Sequence, residues 1–234
     1  MKILLIGATH GNELLGVKLY QHLLRTRSPL IEHIDFIVGN PRAYACRIRY
    51  TESDLNRSYG QGDNTYEQRR ANEIQQYVAT TKPDLVIDAH TTSTIQPNIL
   101  IVGNIVDENV KRFMRASHIG TVLKVQPMHD SASIAPNVVG YEVSNRGISI
   151  ELLNKIILDL ERYINGSSGQ VSKKLYTMTG RIYKKDIAPE QAATFKNFHM
   201  HQLGFVPIMT GNNSYKKQTD YLGFKSDSPE EITL

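Results

Sequence analysis

Short apolar runs alternate with longer segments of helical period along this chain, and that alternation leaves few architectures open. Lys2 to Ile6 is rich in Ile and Leu, the pattern of a buried strand, and Asn12 to Leu24 follows with Leu15, Leu19, Leu23 and Leu24 at helical spacing. Ile34 to Val38 (IDFIV) reads as a second strand, ending at the turn signal Gly39-Asn40-Pro41. A long polar stretch from Arg42 to Asn64 then precedes a helix expected near Tyr66 to Thr80. Pro83 introduces a third strand, Asp84 to Asp88, and further strands are expected at Ile99 to Val102, Val122 to Val125 and Gly147 to Glu151. Helices are expected near Asp107 to Ser117 and from Asn154 to Ile164. Strands alternating with helices imply an α/β fold, a mostly parallel sheet flanked by helices with its ligands at the carboxyl ends of the strands.

At 234 residues the chain is long enough for one sizeable core. The linker-like segment Asn165-Gly166-Ser167-Ser168-Gly169 divides it into residues 1–164, which hold the chemistry, and residues 165–234. The second part has short β-like runs, Leu175 to Thr177 and Phe205 to Met209, broken by Pro and Gly. A small β-rich lobe of this size is marginal alone, so it is expected to dock on the main domain and complete the substrate pocket.

The net charge is only +4, but several arginines fall between Arg42 and Arg57. That favours a local site for a small anion over a polyanion surface, and no basic stripe with stacking aromatics points to nucleic acid. Cys46 is the only cysteine, so no intrachain disulfide forms. The opening MKILLIGATHG has too short an apolar run for a signal peptide, and nothing approaches the roughly 18 apolar residues of a membrane span. A cytoplasmic protein is the expectation.

Three features fall at expected strand ends: His10 and Glu13 in GATHGNELLG, His90 after DLVID, and Glu151 closing GISIE. In a parallel sheet those ends share one edge. Two imidazoles and a carboxylate are the ligand set of a catalytic zinc, and Glu151 is then free to move a proton on water. Each residue alone has a plainer reading. Asn12 caps a helix with Glu13 at its dipole and His10 exposed, His90 is a hydrogen-bonded strand-end histidine, and Glu151 faces solvent. Their joint placement favours the metal. In RYTESDLNR, residues 49 to 57, guanidinium groups can grip carboxylates or stabilise an oxyanion, against a solvated loop with Asp54 paired to an arginine. Cys46 reads as inert, and His118, His129, His199 and His201 as surface or packing residues without a third ligand.

With HGNE, NPRA (Asn40 to Ala43), RYTESDLNR, DAHTT (Asp88 to Thr92) and SIE in this order, the chain resembles the aspartoacylase and succinylglutamate desuccinylase family over most of residues 3–152. The resemblance implies a carboxypeptidase-like fold and a zinc-dependent deacylase with one Zn²⁺ per subunit, held by His10, Glu13 and His90. It places the general base on Glu151, the carbonyl-polarising arginine on Arg49, and the carboxylate-holding pair on Asn56 and Arg57. PIMTGNNSY, residues 207 to 215, looks like the family segment that ends in a substrate-binding tyrosine, here Tyr215. Aspartoacylases carry a further substrate arginine about ten residues before the catalytic glutamate, where this chain has Tyr141, with Arg146 nearby.

The expected activity is hydrolysis of an N-acyl amino acid, of N-acetylaspartate type, releasing a carboxylate and a free amino acid. Succinylglutamate desuccinylase or a broader deacylase is the alternative within the class, and a peptide carboxypeptidase comes third. A non-catalytic metal-binding module is the alternative outside it. The expected partner is a small anionic substrate, with neither nucleic acid nor membrane, and homo-oligomers are allowed.

Overall fold

The computed structural model describes residues 1–125, 133–166, 169–212, 215–216 and 219–234. Its first unit is strand β1 (Ile3–Gly7), helix α1 (Leu15–Thr26) and strand β2 (Ile34–Val38). A short helix α2 (Pro41–Cys46) and a single 3-10 turn at Leu55–Arg57 break the stretch expected to be irregular, and helix α3 (Tyr66–Thr81) follows. Next come β3 (Leu85–Thr92), β4 (Ile99–Val102), α4 (Glu108–Ala116), β5 (Thr121–Lys124), β6 (Val138–Ser144) and α5 (Ile150–Asn165). The rest is β-rich: β7 (Ser172–Tyr183), a one-turn helix α6 (Pro189–Ala192), β8 (Val206–Ile208), β9 (Tyr221–Ser226) and β10 (Glu230–Thr233).

The ten strands form one mixed sheet in the order β2-β1-β3-β6-β4-β5-β7-β9-β8, with β10 beside β7. Side chains alternate across it, as the pleat requires. On β1, Ile3 and Leu5 enter one core with Leu15 and Leu19 of α1, Phe113 of α4 and Leu160 of α5. Leu4 and Ile6 enter the opposite core with Ala71 and Ile74 of α3, Leu55 and Tyr59. A third cluster packs Tyr176, Ile208, Tyr215 and Phe224 around β7 to β9. The sheet is thus covered by helices on both faces, and β1 sits between β2 and β3, all parallel, so the chain leaves in opposite directions from their carboxyl ends. Such a switch point opens a crevice where ligands bind.

Local signals explain the helix starts. The Thr65 hydroxyl accepts from the Gln68 N–H while the Gln68 side chain accepts from the Thr65 N–H, a reciprocal cap for α3. The Asn40 carboxamide accepts from the Ala43 N–H at the start of α2, with Pro41 in the first turn.

Three expectations change. The run Gly147 to Glu151 is not a strand: the Ser149 hydroxyl accepts from the Leu152 N–H and starts α5, which places Glu151 in that helix's first turn. Helix α1 begins at Leu15 after Leu14, so Asn12 does not cap it. His90 lies inside β3 rather than beyond it, because the strand runs on to Thr92.

Candidate active site

His10 follows β1 through Ala8, whose φ of 54° is in the left-handed region. That turn brings His10 back over the sheet edge, and the Thr9 hydroxyl anchors it by donating to Asp88 Oδ1 at 2.6 Å. Gly11 is required here for closeness rather than for an unusual φ. A Cβ on it would lie 2.0 Å from the Ala43 carbonyl carbon, so only glycine lets this loop pass the start of α2. Glu13 then turns inward: Oε1 is 2.7 Å from His10 Nδ1, and Oε2 is 3.0 Å from His90 Nδ1 and accepts from the Thr91 N–H at 3.0 Å.

The second nitrogen of each imidazole meets another carboxylate. His10 Nε2 is 3.1 Å from Asp54 Oδ1, and His90 Nε2 is 2.8 Å from Asp88 Oδ2. One donor atom each from His10, Glu13 and His90 lies within 4.8 Å of the others, and all three residues are buried. Metal-binding histidines characteristically give their far N–H to a carboxylate, which fixes the tautomer and aims the near nitrogen at the ion. The set therefore fits a divalent cation such as zinc. With protein atoms alone, Glu13 and Asp54 outweigh burial and raise the His10 pKa, Asp88 and Glu13 raise that of His90 further, and the imidazoles hold the Glu13 carboxyl far below its ordinary value. The cluster is built to surround positive charge.

Arg49 extends the site. Its Nε and Nη2 donate to Asp54 Oδ2 at 3.1 and 2.9 Å, and its Nη1 is 3.5 Å from Glu13 Oε1. Asp54 also accepts from the Asn56 N–H, so the DLNR turn is tied to both His10 and Arg49. Asn56, Arg57 and Tyr215 join Arg49 and the three candidate ligands on the wall of one cavity of about 450 Å³. Burial pushes the Tyr215 hydroxyl upward, with Arg57 pulling against it, so it stays protonated as a donor.

Glu151 is not in this cavity. Its side chain is 77% exposed and its Oε1 pairs with Lys155 at 2.7 Å, which corrects the reading of that residue as the general base. Besides Glu13 and Asp88, which contact the imidazoles, the cavity wall carries the carboxylate of Glu142 of β6, 8% exposed. The β3–β6 register sets His90 opposite Glu142, and residues 138, 140 and 142 share the cavity face. Burial, with the charge of Glu13 added, raises Glu142 to about 7. The sequence signal was present in Val138 to Ser144, whose Val139, Tyr141 and Val143 alternate into the core.

Tyr141 is consequently a core residue whose hydroxyl donates to Asp159, and exposed Arg146 lies beyond the end of β6, so neither lines the cavity. His118 meets the same Asp159, His199 Nδ1 meets the Asn197 carbonyl, and His201 Nε2 meets the Thr194 hydroxyl, all packing roles. Cys46 is exposed, and His129 lies outside the described residues.

A model of the succinylglutamate desuccinylase/aspartoacylase catalytic domain matches residues 1–161. The chain belongs to this family. Among its relatives, a Nostoc protein named as a probable aspartoacylase is 27% identical over 220 residues, 77% of this chain and 72% of its own length. An N-acyl-aromatic-L-amino acid amidohydrolase (carboxylate-forming) of Xenopus laevis is 36% identical over 114 residues, 43% of this chain. The match spans only 37% of that relative's length. Murine aminoacylase 3 superposes with a TM-score of 0.71 at 19% identity, covering 100% of this chain and 97% of its own. The succinylglutamate desuccinylase of Chromobacterium violaceum gives 0.72 at 15% identity over 99% of this chain and 85% of its own. Both solved structures share the mixed α/β fold described above. Among the described residues no helix is long and apolar enough to cross a membrane.

Proposed function

We propose that this chain is a zinc-dependent hydrolase that cleaves the amide bond of an N-acyl amino acid. The observation that carries this reading is the convergence of His10, Glu13 and His90 with Glu142 and Arg49 on one cavity. His10, Glu13 and His90 would hold the zinc, which when bound supplies Lewis acidity to the scissile carbonyl and to water.

The chain's own residues supply the rest. Glu142, on the cavity wall beside the candidate ligands, accepts a proton from the attacking water and passes it to the departing nitrogen as the C–N bond breaks, leaving a carboxylate and a free amine. The Arg49 guanidinium, oriented by Asp54, stabilises negative charge on the carbonyl oxygen. Arg57 and Asn56 take the substrate α-carboxylate, and the Tyr215 hydroxyl donates a hydrogen bond beside them. In this division of labour residues 1–164 carry the reacting groups and residues 165–234 add Tyr215 and the far wall.

Glu142→Gln should retain zinc while kcat falls by about 10²–10⁴-fold, and Glu151→Gln should change neither. Metal content by atomic absorption and kcat on a panel of N-acyl amino acids decide it. An active Glu142→Gln, or an inactive Glu151→Gln with normal zinc, would remove the assignment. N-acetylaspartate and succinylglutamate belong on that panel because relatives bear the corresponding names.

A further inference from the structure

Beyond the reacting groups the cavity changes character. One stretch of its wall is apolar, formed by Ile101 of β4, Leu123 of β5, Val125, Met178 of β7, Met209 and Phe224 of β9, which pack in one cluster. Among the described residues lining it, apart from the imidazoles of the candidate metal site, the only cationic side chains are Arg49 and Arg57, and Arg49 already has two donors on Asp54. Asn104, Ser133 and Asn212, also on the wall, are uncharged. Residues 126–132, outside the description, contain no Lys or Arg in sequence.

A substrate with two carboxylates would satisfy one at Arg57 and leave the second without a cationic partner, against the apolar cluster. An unpaired buried charge is strongly disfavoured. An apolar group gains by the same burial, and about 450 Å³ is room for one, within the range of pockets that enclose drug-sized ligands.

Resting on the amide-hydrolysis reading, we infer that the preferred substrate is a monoanionic N-acyl amino acid carrying a bulky apolar group, on its acyl chain or its side chain, rather than a dianion such as N-acetylaspartate. The α-carboxylate sits at Arg57 and the apolar group fills the chamber between β4–β5 and β7–β9.

The test is kcat/KM of the metal-loaded protein on N-acetylglycine, N-acetylaspartate, N-acetylphenylalanine and N-hexanoylglycine. At least one of the last two should exceed N-acetylaspartate by about 30-fold or more, the scale expected when several carbons enter a fitted apolar pocket. Which of the two is faster says whether the chamber takes the side chain or the acyl chain. N-acetylaspartate faster than both overturns the inference and leaves amide hydrolysis standing, whereas no hydrolysis of any of the four removes both. Val125→Arg, at a half-buried wall position, should lower the apolar-to-aspartate ratio at least tenfold. An unchanged ratio in the folded, metal-loaded variant also refutes the chamber; if that variant does not fold, the wild-type panel decides.

Discussion

Glu67 is a buried carboxylate at the start of α3 that touches none of the reacting groups yet holds the loop that carries them. Its Oε1 accepts from the Thr51 N–H and hydroxyl, both at 2.7 Å, and from the Asn40 carboxamide at 3.1 Å. Its Oε2 accepts from the N–H groups of Glu52 and Ser53 at 3.1 and 3.0 Å. The run between Arg49 and Asp54 is therefore fixed by one side chain. In Glu67→Ala, water can rehydrate the exposed Thr51 and Glu52 groups, but Asn40 is fully buried and Ser53 half-buried, so two donors lose their partner. At about 1–3 kcal/mol for each unsatisfied buried group, with partial relaxation, the variant should lose about 3 kcal/mol of stability. Arg49 and Asp54 then lose their alignment, and a displacement of an ångström is worth about 10²-fold in rate. Glu67→Gln should be nearly as costly, since whichever oxygen becomes NH₂ faces at least two donors. Burial alone would raise the Glu67 pKa, but hydrogen bonds from Thr51, Asn40 and Ser53 hold it below the ordinary 4.5. Its stabilisation is thus complete above about pH 4.5 and lost as pH falls through the lower folded value, so the gap between wild type and Glu67→Ala should close on the acid side. Urea denaturation across pH, with kcat/KM at neutral pH, measures both effects. A Glu67→Gln protein within about 0.5 kcal/mol of wild type, at full activity, would refute the reasoning.

Removing the metal with a chelator should lower stability, by about 2.7 kcal/mol relative to protein in a hundredfold excess of free zinc over Kd, read as a shift in thermal midpoint; an unchanged midpoint would argue against His10, Glu13 and His90 as a ligand set. Gly11→Ala should cost about 2–3 kcal/mol and reduce zinc content, because its Cβ would strike the backbone of α2; metal analysis beside a denaturation curve shows whether it does. The Tyr59 hydroxyl is buried on the cavity wall without a hydrogen-bond partner, so Tyr59→Phe should gain about 1 kcal/mol in a urea titration, and a loss would reveal a hidden partner.

Much of this is legible in the sequence. The strand at Ile34–Val38, the one at Ile99–Val102 and the helix from Tyr66 emerge close to their expected bounds, because each combines a periodic apolar pattern with a clear cap or turn. His10, Glu13 and His90 meet because parallel strands β1 and β3 are neighbours; alternation implies a shared sheet edge, and the order β2-β1-β3 that puts the two strands side by side is visible only in the structure. The misplacement of Glu151 had a physical origin: Ser149 before Leu152, Leu153 and Ile156 is a helix-start signal, but the β-branched residues of GISIE mimic a strand. Glu142 went unseen since a glycine and an acidic residue interrupt VVGYEVS, and only the sheet register shows that both occupy the face where the pocket needs space and a carboxylate. The roles of Asp54, Asp88 and Glu67 depend on contacts across 44, 79 and 16 residues, beyond the reach of local pattern.

Strand β7 has a further consequence. Its first half bonds to β5 and β10 and its second half to β9, so one continuous backbone belongs both to the central sheet and to the β7-β9-β8 portion that walls the pocket. Disorder in one part is therefore passed along a shared backbone to the other. Amides of β7 and β9 should exchange with solvent on the same slow timescale as those of β5, and a protease nick beyond Tyr183 should weaken the central sheet as well as the chamber. The two regions of the chain thus share one continuous strand, and Met178 on that strand is part of the pocket wall.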